Sequence, residues 1–178
     1  MMRRGRNKIR MRRNKLGNWW VKIFASFFYL GYSPIAPGTV GAAGGLGFYL
    51  LIRFFIPGFI PESPGELCWE YILFLPAFFL VGVYLSSRGE KEWRQKDPGK
   101  IVIDEVFSIF ITFLFLPVYP VMLVVIGFIL NRIFDIFKPY PTRLLEKVPG
   151  GWGVMLDDLM AGIYSNLALR ILIFALQK

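Results

Sequence analysis

Residues 154–176 read VMLDDLMAGIYSNLALRILIFAL. At about 1.5 Å per residue, this run as a helix is long enough for the roughly 30 Å hydrocarbon core of a bilayer. Its first turn carries Asp157 and Asp158. Ionised groups beside hydrocarbon are costly, so acids at the edge of a span are functional candidates by default. The stretch therefore reads as a membrane helix with two carboxylates at one end.

The neighbouring segments repeat that pattern. Residues 101–116 are apolar except for Asp104 and Glu105 near the start, and residues 121–137 are a span ending in Asn131, Arg132 and Asp135. Residues 67–86 form another apolar run. Residues 40–56 form a short one, with Gly41, Gly44, Gly45 and Gly47 offering a small-residue face for close packing. Residues 19–32 are too short to cross and read as an interfacial helix with Trp19 and Trp20 at headgroup level. GYSPIAPGT (31–39), the Pro/Gly stretch 57–66, the charged stretch 87–100, KPYP (138–141) and PGGWG (149–153) read as loops, with a short polar helix or turn at 142–148. The expected fold is all-α: a compact helical membrane bundle of about five spans plus a short N-terminal interfacial helix. One domain, 19–178, follows a tail, 1–18. Composition agrees: 55% of the 178 residues are hydrophobic and 18 are Phe, with a mean hydropathy of +0.50.

Charge gives the expected orientation. The tail holds eight Lys and Arg and no acid, which accounts for all but one of the +9 net charges. Apolar sequence follows at once, so the tail reads as an anchor on anionic lipid headgroups, where each basic residue contributes about 1 kcal/mol; nucleic acid is not the expected partner. With five crossings, only Arg53, Arg170 and Lys178 of the 21 basic residues fall on the far side, beside Glu62, Glu66 and Glu70. The positive-inside rule makes the near side cytoplasmic. Asp97, Asp104, Glu105, Asp135, Asp157 and Asp158 then all reach the cytoplasmic edge.

The missing residue types narrow the chemistry. There is no histidine and one cysteine, Cys68, which excludes a disulfide, a cysteine zinc cluster, an imidazole ligand and a Ser-His-Asp triad. Cys68 has no arginine six residues on, and no Asp-x-Asp pair or Walker loop occurs. The spaced aspartates of CDP-alcohol phosphatidyltransferases are also missing. First-turn acids can serve merely as helix caps, contributing about 0.3–1 kcal/mol, and salt bridges to Arg132 and Lys138 are a second structural account. Neither explains the convergence. Clustered carboxylates without nitrogen or sulfur ligands suit Mg²⁺ or Mn²⁺, and like charges so close partly protonate without a cation. Arg132 and Lys138 flank Asp135 at three residues on either side, placed to meet a phosphate with Ser33 and Thr39 of the Gly/Pro loop. An ion-coupled transporter is the competing class, but its acids tend to lie near the midplane within a repeat, and no repeat is visible here.

Four blocks carry a resemblance. GYSPIAPGTVGAAGG (31–45), DPGKIVIDE (97–105), RIFDIFKPYP (132–141) and GGWGVMLDDLMAG (150–162) resemble, in order, the motifs of the phosphatidylglycerophosphatase A family. The resemblance implies a Mg²⁺-dependent lipid phosphatase of the bacterial inner membrane that converts phosphatidylglycerophosphate to phosphatidylglycerol. It implicates Asp97, Asp104, Glu105, Asp135, Lys138, Asp157 and Asp158, with Pro37, Gly38 and Thr39 in the first block. On that reading Asp104, Glu105, Asp135 and one or both of Asp157 and Asp158 are the Mg²⁺ ligands. Glu105 or Asp97 is the base, and Lys138, Arg132 and the loop around Thr39 meet the phosphoryl oxygens. Water and an aspartyl nucleophile both remain open, as does the oligomeric state.

Overall fold

Every regular element among the described residues, 19–61, 68–116 and 121–176, is helical in this computed structural model. The basic tail with its lipid-anchor role, Glu62, Glu66 and Lys178 lie outside those residues. The elements are α1 (Trp19–Ala25), a 3-10 turn (Leu30–Tyr32), α2 (Pro37–Phe55), α3 (Trp69–Trp93), α4 (Ile103–Thr112), α5 (Val121–Phe137), α6 (Thr142–Leu145) and α7 (Gly151–Leu176).

Local chemistry explains where the helices depart from expectation. The interfacial helix is only seven residues long. Ser26 donates from its hydroxyl to the Lys22 carbonyl and accepts from the Tyr29 N–H, and Phe27, Phe28 and Tyr29 take left-handed φ values of 42°, 56° and 68°. Side-chain bonds to the local backbone offer it an alternative to the helix. The freed Ala25 carbonyl accepts the Val102 N–H at 3.0 Å, tying α1 to the start of α4. The expected loop at 87–100 is helical as far as Trp93, because Arg88, Glu90, Lys91 and Glu92 are good helix formers. α3 then stops at Arg94 in the left-handed conformation, φ 54°, whose N–H bonds the Glu90 carbonyl.

Five spans are not clearly present. Among the described residues three helices, α2, α3 and α7, are long and apolar enough to span a bilayer. α5, at 17 residues, would reach about 26 Å. The ten-residue α4 would reach only about 15 Å, and all of it except Glu105 is buried. The apolar run at 101–116 thus makes a core helix held between α2 and α7 instead of a lipid-facing span. Small residues permit the close approach. A Cβ on Gly45 would lie 2.7 Å from the Val106 Cα, and one on Gly162 would lie 2.8 Å from the Ser108 carbonyl. Of the expected glycine face, Gly41 meets Val102 just before α4, Gly45 meets α4, Gly44 meets Leu30, and Gly47 faces open space.

The early stop of α4 leaves carbonyls that would be unsatisfied within the bundle. α7 supplies the donors. Asn166 Nδ2 bonds the carbonyls of Thr112 at 3.0 Å and Leu114 at 2.9 Å. Arg170 Nη2 bonds Leu114 at 2.9 Å while its Nε bonds Asn166 Oδ1 at 2.8 Å. A cation at a helix C-terminus also complements the helix dipole. Outside, large apolar side chains such as Phe54, Leu73 and Ile171 are about 70% exposed, as a surface solvated by lipid tails would be. The polar side chains Ser108, Thr112, Asn131 and Ser165 are buried.

Successive long helices reverse direction. The N-termini of α2, α4 and α7 and the C-termini of α3 and α5 therefore meet at one end, where the Gly151 N–H bonds Ser87 Oγ at 2.8 Å. Arg170→Met should leave the carbonyls of Leu114 and Phe115, just past α4, without their charged donor and cost about 1–3 kcal/mol. Denaturant unfolding of the detergent-solubilised protein measures this, and an unchanged midpoint would refute the cap.

Candidate active site

The six acids singled out in the sequence fall into distinct environments at this end. Asp104 and Glu105 open α4, and Asp158 lies about two turns into α7, which begins at Gly151. One carboxylate oxygen from each of the three lies within 4.8 Å of the others. Asp104 and Asp158 are buried, Glu105 half-buried. Neighbouring helical residues diverge by about 100°, but the longer Glu105 side chain closes that gap and comes into hydrogen-bond contact with Asp104. Asp104 Oδ1 and Glu105 Oε2 are buried without a hydrogen-bond partner. Asp135 stands against Asp158 from the last turn of α5.

Two of the remaining acids have cations of their own. Asp135 takes Arg132 Nη2 at 2.7 Å, and Asp157 takes Lys138 Nζ at 2.5 Å. For these two the salt-bridge reading is correct. For Asp104, Glu105 and Asp158, no Lys or Arg pairs with them among the described residues. The 157–158 pair therefore divides: Asp158 joins the three-acid cluster and Asp157 positions a lysine. Glu146, on the far side of Lys138 at 3.2 Å, was missed in the sequence because it sits in an unremarkable polar turn. Burial pulls the Lys138 pKa down, but the hydrogen bonds and charges of Asp157 and Glu146 outweigh this and raise it above the ordinary lysine value.

Asp97 lies at the mouth, in the α3–α4 loop, with φ 44° and its N–H bonded to Glu90 Oε1 at 3.0 Å. The residue is exposed, yet surrounding protein desolvates its carboxyl enough to raise the pKa, with Lys138 pulling the other way.

The first block places the start of α2 against this cluster. Pro37 is the first helical residue and Ala36, in a left-handed conformation, gives no side-chain cap. The opening N–H groups are therefore not capped by a side chain, an arrangement suited to an anion. A Cβ on Gly38 would fall 2.5 Å from Glu105 Oε1 and 3.1 Å from Arg132 Nη2. A side chain at this position would have to push aside the ends of the Glu105 and Arg132 side chains. Arg132 Nε and Nη1 are buried with no hydrogen-bond partner, so the guanidinium keeps unused donors while its Nη2 lies beside that terminus. Thr39 follows on the half-buried first turn. Ser33 is engaged locally, donating to the Ile35 carbonyl at 2.9 Å.

A buried polar chain supports the acids. Asn131 Nδ2 donates to Ser108 Oγ at 2.6 Å and to Thr112 Oγ1 at 3.1 Å, and Ser108 Oγ donates to the backbone carbonyl of Asp158 at 2.8 Å. It links α5, α4 and α7 just beneath the cluster. Ser108 and Thr112, four residues apart in an apolar run, were the available sequence signal.

Three clustered carboxylates, of which Asp104 and Glu105 each keep a buried oxygen without a hydrogen-bond partner, form a hard-oxygen site able to hold a divalent cation. Mg²⁺ or Mn²⁺ should raise the unfolding midpoint, by about 2.7 kcal/mol in stability at roughly 100 times its Kd. Asp158→Asn should abolish that response while leaving the apo protein as stable or more so, since a repelling charge is gone. An equal metal response in wild type and variant would exclude this cluster.

Comparison with known proteins agrees with the four blocks. The family model described as phosphatidylglycerophosphatase A matches residues 23–173. A protein of Escherichia coli K12 named phosphatidylglycerophosphatase A is 36% identical over 86% of this chain and 83% of its own length. A Haemophilus influenzae protein of the same name is 33% identical over 88% of each chain. A Bacteroides thetaiotaomicron protein named "Putative phosphatidylinositol-3-phosphatase" is 34% identical over 81% of this chain and 87% of its own. No solved structure matches the chain.

Proposed function

The chain belongs to the phosphatidylglycerophosphatase A family, and from that premise we propose that it hydrolyses the terminal phosphate of phosphatidylglycerophosphate, leaving phosphatidylglycerol. The observation that carries the reading is the meeting of three acids, none held by a Lys or Arg among the described residues, with the uncapped start of α2 and the unpartnered Nε and Nη1 of Arg132. The lipids in the relatives' names share one chemistry: a phosphomonoester beyond the phosphodiester that joins the headgroup to its glycerol.

In the proposed site Asp104, Glu105 and Asp158 would hold Mg²⁺, and Asp135 stands beside them. The bound cation supplies a Lewis acid for the phosphoryl group. Arg132, through Nε and Nη1, and the N–H groups of Gly38 and Thr39 receive the phosphoryl oxygens as charge develops on them. Asp135 fixes the guanidinium by its 2.7 Å ion pair. Asp157 fixes Lys138, whose raised pKa keeps it cationic through neutral and mildly alkaline pH. Asp97 is the carboxylate left to take a proton from attacking water, and its raised pKa suits a base. Pro37 presets the first turn of α2. Ser33 acts only through the loop.

The membrane setting follows the same logic. The acidic end carries most of the described basic residues, including Arg88, Lys91, Lys96, Arg143 and Lys147, which supports a cytoplasmic active site under the positive-inside rule. The acyl chains stay in the bilayer while the headgroup reaches the interface, and the basic tail adds affinity for anionic lipid.

Phosphate release from phosphatidylglycerophosphate in mixed micelles tests this. Asp104→Asn, Glu105→Gln, Asp158→Asn and Arg132→Ala should each lower kcat at least roughly 100-fold with the fold intact. A Met1–Asn18 deletion should retain turnover in micelles. Because Asp97 acts ionised, activity should fall as pH drops through its raised pKa, and Asp97→Asn should remove that acid limb along with most of the rate. Near-normal kcat in two of the three cluster variants would sink the assignment.

A further inference from the structure

Beside the acidic cluster lies a second, cationic cavity. It has a volume of about 420 Å³ and is lined by Lys96, Ile136, Lys138, Arg143, Glu146 and Lys147. Lys138 belongs to both sites: its ammonium bridges Asp157 on the cluster side and Glu146 on the cavity side. The one acid of the cavity is thus occupied. Lys96 donates to the Glu146 backbone carbonyl at 2.9 Å and Arg143 to the Phe137 carbonyl at 3.5 Å. Among the described residues none of Lys96, Arg143 and Lys147 has a carboxylate partner, which leaves an excess of positive charge facing an open cavity.

Ile136, which lines this cavity, and its apolar neighbours Phe137 and Leu144, each next in sequence to a lining residue, are uncovered. Ile136 is 69% exposed, Phe137 70% and Leu144 49%. All three adjoin the end of α5 or lie in α6, which places them at the depth where α5 leaves its apolar stretch. A concentration of cations with an apolar shoulder suits a group that is anionic and attached to acyl chains.

We infer that this cavity binds the phosphodiester of the lipid substrate while the terminal phosphomonoester occupies the acidic cluster, so that Lys96, Arg143 and Lys147 select lipids carrying both phosphates. The inference rests on the phosphatase reading. The two phosphates of such a lipid are separated by the headgroup alcohol alone, and Lys138 bridges the two sites by holding Glu146 of the cavity and Asp157, the neighbour of Asp158. After hydrolysis the phosphodiester is the only anionic group left on the lipid product, so the same cavity holds product and makes it a competitive inhibitor.

The test uses the full-length protein in neutral detergent micelles. kcat and KM are measured for phosphatidylglycerophosphate, and Ki for phosphatidylglycerol, in wild type, Lys96→Gln/Lys147→Gln and Lys96→Arg/Lys147→Arg. Glutamine keeps the donor to the Glu146 carbonyl and so protects the fold, which the unfolding midpoint checks. KM and Ki should rise together by about tenfold or more in the glutamine pair, with kcat unchanged, and return with arginine. Unchanged KM and Ki, or a loss confined to kcat, would overturn the inference. So would a KM effect seen only in phosphatidylglycerol vesicles and not in neutral micelles, which would assign the cations to general attraction by the membrane surface. If wild type released no phosphate, the phosphatase reading would fail by itself. Titration of phosphatidylglycerol against diacylglycerol by tryptophan fluorescence would still decide whether the cavity binds a phosphodiester.

Discussion

Three carboxylates held close together in a poorly hydrated place are the constraint on which the rest of this structure depends. Asp104, Glu105 and Asp158 come from two helices, and no lysine or arginine neutralises them among the described residues. Their mutual repulsion opposes the packing of α4 on α7. The glycine contact at Gly162, the Asn131–Ser108–Asp158 chain and the Asn166–Arg170 cap hold the two helices together against it. A stable fold has little use for an uncompensated acidic cluster. A cation site does, because the repulsion is what a divalent ion relieves.

The cations nearby are arranged around that cluster without quenching it. Arg132 and Lys138 each hold one of the other acids, Asp135 and Asp157. These ion pairs fix the direction of the two basic groups and leave the three-acid cluster open. Acids of one type thus take two roles, set by neighbours three to nineteen residues away in sequence and by which helix face each occupies.

The position of the site suits a lipid substrate. Five helix ends meet there, where the chain passes from apolar to charged sequence, and the exposed apolar side chains along the helices continue up to it. A headgroup can reach charged and backbone groups at this depth while its acyl chains remain among apolar neighbours. α4 contributes by being too short to cross. Its N-terminus presents acids at the interface, and its C-terminus ends inside the bundle, where α7 satisfies its carbonyls.

Much was legible in sequence because it depends on composition and local pattern. The helical class, the shared end of the six acids, the hard-oxygen character of the site and the family blocks all follow from apolar runs, helix-end acids and the lack of histidine. Pairwise geometry was not legible. That Asp158 faces the cluster while Asp157 faces Lys138 depends on the rotation of α7 against α4 and α5, and adjacent residues carry no local signal of that rotation. That 101–116 makes a buried ten-residue helix, not a span, depends on α2 and α7 enclosing it, since core and lipid select the same apolar side chains. Glu146 entered the site only because the turn containing it folds back on Lys138. The sequence by itself determined which chemistry the chain can carry and at which end of the helices; only the tertiary structure decided which oxygens share a cation, because that depends on helix rotation and close backbone approach.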